Sequence, residues 1–126
     1  MDILKSTYFS LSDFFVTSTK YDNSISMDFL TFDHSKEIID NILKMMVYLD
    51  LIRESFGFPI IVTSGFRTNQ VNKEVGGVSN SKHLIGKACD ITSKYLDSLF
   101  EIVQSYDFVD YSYIDKVKQY IHVQFK

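Results

Sequence analysis

The segment SKHLIGKACDI, residues 81–91, carries His83 and Asp90 with Gly86 between them, and His122 follows in YIHVQF near the C-terminus. Two imidazoles and one carboxylate form a donor set that suits zinc, and three protein ligands leave the fourth tetrahedral position open. An ion held in that way does catalytic work: it lowers the pKa of water from about 15.7 to near 7 and polarises a carbonyl. The plainer alternative is a histidine and an aspartate satisfied by a surface hydrogen bond, in a chain with only three histidines. His34, in TFDHSKE, reads as part of a helix N-terminus rather than as a ligand. Cys89 has a zinc-binding sulfur, but its place in the strand turns it into the core as a small hydrophobe.

For three side chains so far apart in sequence to meet, strands must aim two of them. Alternation in KACDIT sends Cys89 and Ile91 to one face and Ala88, Asp90 and Thr92 to the other. In YIHVQF, Ile121, Val123 and Phe125 form the apolar face, and Tyr120, His122 and Gln124 the opposite one. His83 lies on the loop entering the first strand, and Gly86 lets that loop fold back towards it.

The remaining elements form a support for these strands. From about His34 to Phe56, apolar residues recur at helical spacing until Gly57 and Pro59 end the run. PIIVTS, with its β-branched residues, reads as a buried strand. A short helix around NQVNKEV ends at Gly76 and Gly77, and Leu96, Leu99, Phe100 and Val103 mark a helix covering one face of the sheet. YFSLSDFF reads as a short helix capped by Ser10 or Ser12. The expected fold is α+β, a small antiparallel sheet with helices packed on one face, in one domain over residues 1–126.

Composition narrows the partners. With 45% apolar residues the chain can bury an ordinary core, and a net charge of -3 without basic runs argues against nucleic acid. No stretch reaches the roughly 18–20 apolar residues of a membrane span. A lone Cys89 forms no internal disulfide. The start, MDILKSTYFSLSDFF, has an early acid and no apolar run of signal-peptide length, so synthesis in the cytoplasm without a signal peptide is expected.

Taken together, VTSGFRTNQVNKEVGGVSNSKHLIGKACDI and YIHVQF resemble the D-alanyl-D-alanine carboxypeptidase family of zinc peptidases, in particular its small phage endolysin-type members. That family shares a fold with the Hedgehog signalling domain. Its pattern runs SGYRS, VNxxVGG, SxHxxGxAxD and a final WxH or IHV strand; Phe66 and Thr68 depart mildly from it. The resemblance extends to FSLSDFFVTST and so covers nearly the whole chain. It implies that His83, Asp90 and His122 bind Zn2+, that Arg67 binds a substrate carboxylate or carbonyl, and that Ser81 orients His83 or touches substrate. For Arg67 and Ser81 the alternatives are a loop-anchoring salt bridge and local loop bonding.

The resemblance implies hydrolysis of an amide bond in peptidoglycan stem peptides, D,D or L,D. Relatives carry a general base a few residues before the last histidine, but Gln119 and Lys116 stand at the corresponding places here. Asp115 is the nearest carboxylate and is expected to take the role, with Asp110 the poorer candidate. The enzyme would be a monomer or a phage particle component, reaching the cell wall after release or as part of a virion. The alternatives are a catalytically impaired zinc-binding module of the cell wall and a structural part of the virion.

Overall fold

The computed structural model describes residues 6–15, 35–67 and 69–126, so the expectations for His34 and Thr68 lie outside the described residues. The long apolar-periodic segment forms α1 (Ser35–Phe56). Ile38, Ile42, Met45, Leu49, Ile52 and Phe56 are buried along one stripe of this helix. Burial of each such side chain is worth roughly 1.5–3 kcal/mol, which anchors the helix to the sheet. The helix stops at Gly57, which adopts φ 84 and sends its N–H to the Arg53 carbonyl at 2.9 Å.

Next come β1 (Ile61–Ser64), α2 (Asn69–Glu74), a 3-10 turn at Lys82–Ile85, β2 (Ala88–Thr92), α3 (Leu96–Gln104), β3 (Val109–Asp115) and β4 (Tyr120–Phe125). The four strands form an antiparallel sheet in the order β1-β2-β4-β3. Cys89 and Ile91 of β2 join Ile121, Val123 and Phe125 of β4 in one core with α1 and α3. The α+β class and the covered sheet face follow from the alternating and helical periods of the sequence. No described helix is long and apolar enough to cross a membrane.

Two expectations change. PIIVTS is not buried throughout: β1 is an edge strand, with Ile61 61% exposed and only Val62 and Ser64 turned inward. β-branching favours a strand but does not distinguish edge from centre. Near the N-terminus, Leu11–Phe15 is a 3-10 turn in which the Asp13 carboxylate accepts the Ser10 N–H at 2.9 Å. The Ser10 and Ser12 hydroxyls instead bond each other at 3.0 Å. The Asp13 bond runs from the third residue of the turn back to the residue before it, which is the return half of a capping box.

This N-terminal turn fixes the loop that follows β1. The Phe66 N–H donates to the Phe14 carbonyl at 2.7 Å, and a Cβ at Gly65 would come within 2.2 Å of that same oxygen. Glycine at 65 therefore permits the close approach that sets the direction of the Gly65 carbonyl.

Candidate metal centre

Asp90 on β2 lies directly opposite His122 on β4, and paired residues of an antiparallel sheet share a face. The Asp90 Oδ1 is 2.8 Å from His122 Nδ1 and 3.4 Å from His83 Nε2. His83 arrives from the 3-10 turn, where Ser81 Oγ accepts its backbone N–H at 3.2 Å. Gly86 closes the turn with φ 75, and a Cβ there would meet the Ile38 carbonyl of α1 at 2.9 Å. Asn41 Nδ2 of α1 also donates to the Ile85 carbonyl at 2.9 Å. Thus α1, β2 and β4 each place one part of the cluster.

The protonation pattern tests whether these residues fit a cation. His83 Nδ1 lies 2.7 Å from the Gly65 carbonyl, which can only accept, so Nδ1 carries the proton. Were the ring neutral, it would turn a lone pair at Nε2 towards a carboxylate oxygen. Such an arrangement is repulsive in a buried site unless a proton or a cation lies between the two atoms. One ligand atom from each of His83, Asp90 and His122 lies within 4.8 Å of the others, and all three residues are buried. The donor set therefore fits a zinc ion. Burial on its own would raise the Asp90 pKa, but hydrogen bonds and charge from His122 and His83 prevail and hold it at about 2. The carboxylate is ionised and available as a ligand at neutral pH.

The cluster lies at an open pocket of about 560 Å³. Arg67 lines it, with Nη2 3.5 Å from Asp90 Oδ2, Nη1 3.4 Å from Asn72 Oδ1 and Nε 3.3 Å from Ser64 Oγ. Burial lowers the Arg67 pKa while the Asp90 charge opposes that shift. Ser81 also lines the pocket while bonding His83, so its two expected roles are compatible. A second cavity of about 460 Å³ shares Arg67, Val75, Asp90 and Tyr120 with the first. Cys89 points the other way, fully buried, and burial pushes its thiol well up.

Asp115 is not brought to the cluster. It shares the site face of β3 but sits at the hairpin end, where its Oδ1 accepts the Val117 and Lys118 amides at 3.1 and 2.9 Å. Uncovered turn amides compete for a nearby carboxylate, and here they hold it. Asp110 is exposed at the bulge between Val109 and Tyr111. Among the described residues lining the two cavities, Asp90 is the only carboxylate. Asp115→Asn keeps an acceptor for the turn but removes a base. Amide cleavage is expected to stay within about threefold of the parent, against the roughly 10²–10⁴-fold that a general base contributes. Steady-state kinetics on purified protein would check this.

Sequence reasoning missed the wall of the pocket, which contains Tyr111, Tyr113 and Tyr120. The Tyr113 ring stacks on His122 at 5.0 Å, and its hydroxyl lies 3.1 Å from that of Tyr120. Burial and the Tyr120 hydroxyl raise the Tyr113 pKa, so it remains a protonated donor. The alternate tyrosines in YSY, which a strand turns to one face, were the available signal.

The family model described as Peptidase M15 matches residues 7–124. A zinc D-Ala-D-Ala carboxypeptidase of Streptomyces albus G is 44% identical over 52 residues, which cover 40% of this chain and 20% of that protein. Because the match to the family model runs through nearly all of the sequence, including both strands that carry the cluster, the chain belongs to the peptidase M15 family of zinc peptidases.

Proposed function

We propose that this chain is a zinc-dependent peptidase that hydrolyses an amide bond, D,D or L,D, in peptidoglycan stem peptides, with residues 1–126 acting as one peptidase domain. The observation that carries the reading is the meeting of His83, Asp90 and His122 at the floor of an open pocket beside Arg67. The zinc D-Ala-D-Ala carboxypeptidase relative supports the substrate class. The finer reading, a phage endolysin or virion enzyme, rests on the resemblance to small members of the family.

In this reading His83 Nε2, an Asp90 oxygen and His122 Nδ1 hold the ion. When bound, zinc supplies Lewis acidity that polarises a carbonyl and makes water nucleophilic at neutral pH. The chain does the rest. Arg67 offers a planar fork of N–H donors to a substrate carboxylate or to the oxyanion that develops during attack. The hydroxyls of Tyr113 and Tyr120 bond each other at 3.1 Å and leave one O–H of the pair as a donor in the pocket. Tyr111 and Tyr113 present ring faces against which a peptide can pack.

A catalytically impaired zinc-binding module of the cell wall or the virion is the second reading. It is favoured by the lack of a carboxylate other than Asp90 among the described pocket residues. Incubation of purified muropeptides with the protein, followed by mass spectrometry, separates the two. The peptidase reading expects cleavage at one amide bond, lost on chelation and restored by zinc; zinc uptake without any product would favour the module.

A further inference from the structure

We propose that Gln124 is a positioning residue for the metal centre: its side-chain carbonyl holds the His122 ring so that Nδ1, and not Nε2, is presented to the ion. This rests on the zinc reading above. Gln124 follows His122 by two positions on β4 and so shares its face, opposite Ala88 and Tyr111. Its Oε1 lies 3.0 Å from His122 Nε2, while His122 Nδ1 lies 2.8 Å from Asp90 Oδ1. The stacked Tyr113 ring, inclined by 25°, sets the plane of the imidazole.

A neutral imidazole has one lone pair and one N–H. Once Nδ1 gives its lone pair to the ion, the proton must reside on Nε2, and Gln124 Oε1 is the acceptor that faces it. The Gly65 carbonyl does the same for the other ring from the opposite nitrogen, accepting from His83 Nδ1 and leaving Nε2 towards Asp90. The two histidines thus present different nitrogens, each fixed by a carbonyl oxygen. A glutamine differs from a backbone carbonyl in one respect: rotated by 180°, its NH2 would donate to Nε2 and shift the proton to Nδ1. That tautomer turns an N–H towards Asp90 and closes the position to a metal. The ion and the acceptor orientation of Gln124 therefore stabilise each other.

The test compares Gln124→Leu, which cannot accept, with Gln124→Glu, which can only accept. Zinc affinity is measured by competition with a chromogenic chelator, and the His122 tautomer by long-range proton–nitrogen NMR on the zinc-loaded protein. Leucine is expected to weaken zinc binding by about 10–100-fold, the usual cost of losing such an outer partner, while glutamate binds at least as tightly as the parent. Zinc-loaded parent protein should show His122 protonated at Nε2. Equal affinity of the leucine variant and the parent would overturn the role of Gln124 alone, as would a His122 proton at Nδ1. Equal weakening in the leucine and glutamate variants, with a shared fall in melting temperature of the metal-free proteins, would mark the residue as merely structural and overturn it too. Failure of the parent to take up zinc would remove the centre itself and this proposal with it.

Discussion

Asp90→Ala is expected to lower zinc affinity by more than about 10²-fold, beyond the loss typical of an outer partner, and to reduce muropeptide cleavage to the level left by chelation. Asp90 is the only anionic member of the three-residue cluster, and its Oδ1 lies close to both imidazoles. Without it, two neutral nitrogens remain for a divalent cation, too few for a three-ligand site. The substitution also removes the carboxylate beside Arg67, leaving the guanidinium with Ser64 and Asn72 as its side-chain partners among the described residues. Titration calorimetry with zinc and a product assay on the same preparation would measure both losses. Wild-type affinity in this variant would show that the ion, if bound, lies elsewhere.

The second large effect is expected from Arg67→Lys, which should cut kcat/KM by about 10²-fold while leaving zinc affinity within about threefold. Of the five N–H donors of the guanidinium, three have side-chain partners among the described residues, at 3.3 to 3.5 Å. The remaining two have no side-chain partner among the described residues, and the residue lines the pocket. Its backbone is also tied to the centre, since the Arg67 N–H donates to the His83 carbonyl at 3.1 Å. Lysine keeps the charge but not the planar, two-pronged geometry that grips a carboxylate or an oxyanion. An unchanged kcat/KM would assign Arg67 to loop anchoring instead.

The sequence made the centre legible in part, and the physical reasons differ from residue to residue. Alternation alone told that Asp90 and His122 leave the core side, because a strand has a period of two and both flanking sets are apolar. It did not tell that β2 and β4 are neighbours with Asp90 opposite His122; strand order depends on long-range pairing that no local pattern encodes. The approach of His83 depends on contacts of Gly86 with Ile38 and of Asn41 with Ile85, more than 40 positions apart. The family resemblance supplied that association before geometry did.

Other parts were obscured by local competition. Asp115 lies on the right face, yet two free turn amides capture its carboxylate, a contest that sequence distance cannot decide. The tyrosines of β3 alternate regularly from Tyr111 onward, but only the pairing with β4 shows that their face is the one that carries His122. Gln124 was assigned to the polar face correctly, and the same two-residue period would have placed it beside His122.

The most direct measurement is an anomalous difference map from crystals of the zinc-loaded protein, collected on both sides of the zinc absorption edge. The account predicts a single strong peak at about 2.0–2.2 Å from His83 Nε2, from an Asp90 oxygen and from His122 Nδ1. A map with no peak among these three side chains, or with its peak at some other group, would contradict it.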